Sequence, residues 1–236
     1  MKFGIECVVL PFLVSVLSVS SMACGQESDD VVNTTDKKRM PIYVTPFYDS
    51  KDNSISVGTY SEQLATADVN SILELAKELD KDKDRLRAEV MYVTAIRMYD
   101  LGHKNEAVYW FYLAQYRSRV FGSILDRAAI GSIGSEAFEL IQAYASFNEL
   151  AGKYINGYAF GSLQKLEQIL LAVLKEGETL ADFDGLYPEI KFMDQVHWAA
   201  KNKNVADGLI KLVDYIKVNA DSIKEQRAKN GIEGKY

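Results

Sequence analysis

Cysteine, histidine and proline are scarce in this chain, and each scarcity removes a class of function. There are two cysteines, Cys7 and Cys24, and two histidines, His103 and His197. Neither pair falls into a C-x-x-C or H-x-x-x-H spacing, so neither a metal site nor a cofactor is expected. Cys7 lies in an apolar leader. Removal of that leader leaves Cys24 alone, which rules out an internal disulfide. The chain also lacks G-x-S-x-G, a Walker loop and G-x-G-x-x-G. With four prolines, little interrupts a helix. A basic patch is missing too: net charge is −6 with the signs interspersed, which argues against nucleic-acid binding.

What is present is an ordinary globular balance, 48% hydrophobic and 25% charged over 236 residues, with an unusual supply of fourteen tyrosines. Residues 1–23 begin with Met1 and Lys2 and run apolar to Ala23, interrupted by Glu6 and Pro11. That pattern is a secretory signal rather than a membrane span. Residues 24–39 are polar and nearly free of large apolar side chains, the composition of a flexible tether. Residues 40–236 form the body, read as one helical domain.

The leader ends in Ser21, Met22, Ala23 and Cys24. A small residue before a cysteine resembles the lipobox of bacterial lipoproteins, in which the cysteine is lipidated and becomes the mature N-terminus. Ser21 stands where that family usually has leucine. The resemblance implies lipidation of Cys24 and attachment to the membrane through lipid only. Gly25 after the cysteine, in place of aspartate, implies delivery to the outer membrane of a Gram-negative bacterium, the body facing the periplasm. The same three residues also fit ordinary signal peptidase, which would leave a soluble periplasmic protein.

Residues 41–57 carry β-branched and aromatic residues, two prolines and a turn cluster at 50–53, which predicts a short β-hairpin or extended arm. Beyond it the period becomes helical. Thr66 is placed to cap a first helix, with Val69, Ile72, Leu73, Ala76 and Leu79 on one face. Residues 85–121 read as two helices broken at Gly102, and 107–114 are eight apolar residues in a row. Ser135 starts a further helix with Phe138, Ile141, Ala145 and Leu150 inward. Residues 152–161 hold three glycines and three aromatics, which predicts a bend or a ligand-contacting loop. Leu166, Ile169, Leu170 and Val173 mark the next helix, 177–193 a loop, and 205–223 the last helix. The tail from 224 is expected to fray.

Gly102, Ala107, Phe111 and Ala114 are spaced 5, 4 and 3 apart. That pattern resembles the second half of a tetratricopeptide-type repeat, including the short variants with Ala-x-x-Trp-Phe-x-x-Ala. Met98 and the pair Thr94 and Ala95 depart from the family's first half. Gly161, Leu166, Leu170 and Val173 repeat the spacing with large residues, but 59 positions on, nearly twice the repeat length of about 34. The expectation is therefore a mainly α, irregular helical bundle with one repeat-like hairpin. Tyr109, Trp110 and Tyr112 are read as core. Arg97, Arg117 and Arg119 are read as solvated.

Function follows from address and scaffold: a non-enzymatic, envelope-anchored module binding a protein partner. In size, address and scaffold it resembles the immunity proteins that neutralise toxic effectors. A maintenance scaffold is one alternative. The other is a cell-wall hydrolase using Asp182 and Asp184. The candidate partner-binding residues lie on the arm (Tyr43, Phe47, Tyr48), the 152–161 bend (Tyr154, Tyr158, Phe160) and the loop (Asp182, Asp184, Tyr187). Replacing Cys24 with alanine is expected to abolish lipid labelling and membrane association. Unchanged fractionation of Cys24→Ala would refute the lipoprotein reading.

Overall fold

A computed structural model describes residues 57–236. The leader, Cys24, the tether and the arm up to residue 56 lie outside the described residues, and with them Tyr43, Phe47 and Tyr48. The described part is a helical bundle. Its helices in order are α1 (Ser61–Thr66), α2 (Ser71–Lys81), α3 (Ala88–Asp100), α4 (Lys104–Ile124), α5 (Glu136–Leu150), α6 (Gly152–Ala159), α7 (Leu163–Glu176), α8 (Phe183–Leu186), α9 (Trp198–Val218) and α10 (Ala220–Lys229). Among the described residues, extended pairing is limited to one isolated antiparallel bridge, Leu125 with Phe192. No helix among the described residues is long and apolar enough to cross a membrane.

The eight-residue apolar run falls inside α4, and α4 is the axle of the bundle. Helices α3, α5, α6, α7 and α9 all pack on it. A helix that is apolar all round has to be enclosed on every side. Ala107, Phe111 and Ala114 are completely buried, and Trp110 and Tyr112 nearly so, as the sequence predicts. Tyr109 is half-buried at the margin. The α3–α4 turn closes as expected at Gly102, whose φ is +90°. His103 N–H donates to Met98 O (2.8 Å) and Gly102 N–H to Tyr99 O (3.1 Å), the paired bonds of a Schellman motif.

Several expectations need correction. Thr66 ends α1 and does not start a helix. Asp68 provides the start signal instead. Its carboxylate accepts from the N–H of Asn70 and Ser71, and Ser71 Oγ accepts from Asp68 N–H in return. Val69 consequently points outward. On α5 the buried stripe is Ala137, Leu140 and Tyr144, one step round from the predicted face, and Ala145 is exposed. Tyr144 carries a hydroxyl inward because a buried carboxylate waits for it, a reason no apolar period contains.

The three arginines are not solvated posts. Arg97 donates from Nε to Leu64 O (2.9 Å) and from Nη2 to Ala67 O (3.1 Å), tying α1 to α3. Arg117 is 6% exposed and donates to Leu86 O (3.2 Å). Arg119 is half-buried. The guanidinium fork serves here to satisfy carbonyls in the last turn of α1, just after it, and in the α2–α3 connection.

The last clear helix begins earlier than predicted, at Trp198, whose ring packs on Phe183 and Phe192 (centroids 5.9 and 5.7 Å). The tail does not fray at 224. It forms α10, and Arg227 near its end is buried.

Buried phenols give the fold a pH limit. Burial pushes Tyr92, Tyr109 and Tyr116 up to about 12 from the ordinary 10.0, and Tyr144 well above it. The neutral form is favoured in the folded state. This stability is therefore complete below about pH 10 and is lost as pH rises through the folded values. An absorbance titration at 295 nm is expected to show two groups of tyrosines. The second group should ionise only above pH 11, together with loss of far-ultraviolet helicity. All fourteen titrating near 10 with helicity intact would contradict this.

Candidate functional site

One end of the bundle gathers side chains from four separate segments: the end of α3, the start of α4, α6, and the turn formed by 230–236 after α10. Residues 152–161 were expected to bend. Residues up to Ala159 form α6 instead, which follows α5 almost without a break, Ile155 N–H donating to Ala151 O (3.1 Å), and the chain turns only at Phe160 and Gly161. Each helix-interior glycine costs about 1 kcal/mol. Here the glycines permit close approach. A Cβ on Gly152 would touch Phe111 at 3.6 Å, and one on Gly157 would stand 2.5–2.7 Å from the Tyr236 ring.

Two of the predicted binding residues meet at this end. Tyr158 lies edge-on to Tyr99 (centroids 6.4 Å) and Tyr154 edge-on to Tyr236 (6.2 Å). Lys104 Nζ sits 5.1 Å from the Tyr99 ring and 5.3 Å from the Tyr158 ring. Lys153 and Lys235 lie over Tyr154 and Tyr236 at 4.9 and 5.7 Å. All four rings are half-buried, so each keeps part of its surface in solvent. Burial, aided by the neighbouring Tyr236 and Tyr158, pushes Tyr99 up to about 12. Tyr158 donates its hydroxyl to Asn105 Oδ1 (3.2 Å).

Behind the tyrosines is a cleft of about 250 Å³. Val108, Leu166 and Ile169 give it apolar walls, and Asn105, Ser162, Lys165 and Arg227 give it polar ones. Arg227 donates from Nη1 to Gly157 O (2.9 Å) and lies 3.4 Å through Nε from Glu233 Oε1. Glu233 reaches it because α10 closes on Gly231, φ +61°, with Ile232 N–H donating to Arg227 O and Gly231 N–H to Ala228 O. This repeats the Schellman closure seen at Gly102. Arg227, Glu233 and Tyr236 escaped the sequence reading because a charged tail looks solvated. The available signal was Gly231 directly after Lys229 and Asn230, a helix stop that implies a folded segment beyond.

The remaining candidates are placed elsewhere. Phe160 is buried and Tyr187 fully so; both are core residues and present no side chain to a partner. The Tyr187 ring packs on Phe121 (4.9 Å), and its hydroxyl accepts from Ala88 N–H (3.1 Å). It belongs to a buried polar cluster centred on Glu89. That carboxylate accepts from the Tyr144 hydroxyl (2.8 Å) and pairs with Arg87 Nε (2.6 Å). Arg87 in turn reaches Glu136 (2.7 Å) and lies 4.4 Å from the Tyr187 ring centre. The cluster pins the start of α3 to α5 and to the 177–193 segment. Asp182 and Asp184 are exposed, and both carboxylates hold the loop together. Asp182 accepts from Gly185 N–H (3.0 Å), and Asp184 accepts from Gln195 Nε2. Among the described residues there is no group of three or more His, Cys, Asp or Glu able to hold a metal.

The fold and this end together define an all-α bundle with a tyrosine- and lysine-rimmed cleft. The chain is similar to a protein of Haemophilus influenzae described as uncharacterized, 26% identical over 147 residues, which is 61% of this chain and 53% of the relative. The chain thus spans about half the length of the curated relative it matches. No protein-family model and no solved structure matches it.

Replacing Gly157 with alanine is expected to lift Tyr236 off α6 while leaving the bundle folded. Hydrogen exchange of the 231–235 amides should accelerate at least tenfold with melting temperature nearly unchanged. Unchanged protection of the turn would show that the ring contact does not hold it.

Proposed function

We propose that this chain is an envelope-anchored lipoprotein, tethered through Cys24, whose helical body is a protein-binding module with the tyrosine-rimmed end as its recognition face. The observation that supports the face is the convergence of Tyr99, Tyr154, Tyr158 and Tyr236 with Lys104, Lys153 and Lys235 at one end. Tyrosine supplies a large contact area with few torsions to freeze, together with a hydroxyl that stays wet or bonded. It is enriched at binding hot spots for that reason. Lys104, Lys153 and Lys235 offer cations to an acidic patch on the partner, beside the exposed carboxylates of Glu106 and Glu233 at the same end. The finer form of the proposal is an immunity protein, in which the partner is a toxic effector whose site is covered by this face. Size, address and helical scaffold support it by outline, as does the single repeat-like hairpin with its resemblance to scaffolds that present binding surfaces. The outer-membrane address rests on Gly25 after the cysteine.

Photo-crosslinking in cells tests the face. A benzophenone amino acid at Tyr154 or Tyr158 is expected to capture one discrete protein, and the same group at exposed Val196 is not. Equal capture from all three sites, or none, removes the recognition face. For the immunity form, deletion of the gene should lower survival beside effector-delivering neighbours by tenfold or more. Equal survival removes that form and leaves the binding module standing.

A further inference from the structure

The cleft behind the tyrosines has a chemistry of its own, independent of any protein partner. Its deepest polar group is Arg227, whose side chain is 6% exposed. One edge of the guanidinium is taken by Gly157 O. Its Nε is buried and makes no hydrogen bond, with a Glu233 carboxylate oxygen 3.4 Å away in an ion pair. Glu233 is itself 58% exposed. A buried cation is costly unless paired, and here the pairing acid sits on a surface turn. That turn is built from Gly231 and Gly234, with φ of +61° and +69°. A Cβ at either glycine would meet nothing within 4 Å, so conformation and not space demands them.

We propose that this cleft binds a small organic carboxylate with a compact apolar body, and that Glu233 is the resident substitute for it on Arg227. The ligand carboxylate takes the Nε edge and displaces Glu233 outward on its two glycines. The apolar body lies against Val108, Leu166 and Ile169. At the mouth, Lys165 adds a second positive charge and Ser162 a hydroxyl. With one guanidinium edge engaged by Gly157 O, a single fork edge remains, which matches the two oxygens of a carboxylate. The volume of about 250 Å³ suits a ligand of roughly ten heavy atoms, below the drug-sized range. Displacement couples binding to the surface, because Tyr236 closes the same turn against Gly157.

The test uses the purified full chain and phenylacetate as probe, read by nitrogen-15 NMR at the Arg227 Nε–H and the backbone amides of Gly157 and Glu233. Saturable shifts at all three are expected with phenylacetate, and none with phenylacetamide, its neutral isostere. Glu233→Gln removes the internal competitor and should tighten phenylacetate binding about fivefold, in keeping with a half-exposed ion pair. Arg227→Gln should lose binding. If that variant fails to fold, Glu233→Gln decides. Equal affinity for the amide, an unchanged dissociation constant in Glu233→Gln, or absence of shifts at Arg227 each overturns the proposal. These outcomes do not depend on whether Tyr154 or Tyr158 crosslinks to a protein.

Discussion

The enclosure of α4 is the constraint on which the rest of the structure depends. A 21-residue helix, about 30 Å long, with apolar side chains around its whole circumference, is unstable in water unless every side is covered. Burying each large apolar side chain contributes about 1.5–3 kcal/mol. Fourteen of its residues are buried, so no neighbouring helix can be dispensed with. The five helices packed on it come from both sides in sequence. The α3–α4 hairpin is thus enclosed by α5, α6, α7 and α9, helices that share no sequence period with it.

Full enclosure creates a second problem, because a helix also carries polar residues. Gln115, Arg117 and Ser118 of α4 are buried, and each has a partner. Gln115 donates to Asn148 (2.6 Å), Ser118 meets the Tyr92 hydroxyl (3.0 Å), and Arg117 caps carbonyls of the α2–α3 connection. These bonds are directional where apolar packing is not. They fix the rotation of α3 and α5 about α4, and with it the placement of Tyr99 at one end and Glu89 at the other. The tyrosine-rimmed end therefore inherits its geometry from polar contacts in the middle of the bundle.

How much of this is legible in the sequence divides along sequence separation. The α4 core, the Gly102 stop, the loop at 177–193 and the stripe of α7 all follow from residues within one or two turns of each other. What escapes is long-range. Gly157 reads as a helix breaker until Tyr236 is known to lie against it, 79 positions on. Arg117 and Arg97 read as solvated until the carbonyls 31 and 33 residues away are known to need donors. Tyr187 reads as a loop aromatic until Glu89 appears beside it. In each case the deciding partner is a backbone group, a small residue or a buried acid that carries no periodic signal. Of the proposed binding residues, Tyr154 and Tyr158 reach the surface cluster, while Phe160 and Tyr187 are drawn inward by the same aromatic character that singled them out.

The 230–236 turn shows how a charged tail becomes part of a site. Composition alone predicts solvation for α10, which is mostly polar on all faces. One residue reverses that: Arg227 enters the bundle where the Gly157 carbonyl, in the last turn of α6, accepts from its Nη1 and where Gly161, lacking a side chain, leaves room for its Nη2. Once the arginine is in, a carboxylate must follow to balance it, and the Gly231 closure turns the chain so that Glu233 does. Tyr236 then covers the flat face of α6. The order of causes runs from a glycine in one helix to a cation in another and then to an acid on a turn. The acid can be exchanged for another carboxylate, as proposed, without disturbing the axle helix that supports the cleft.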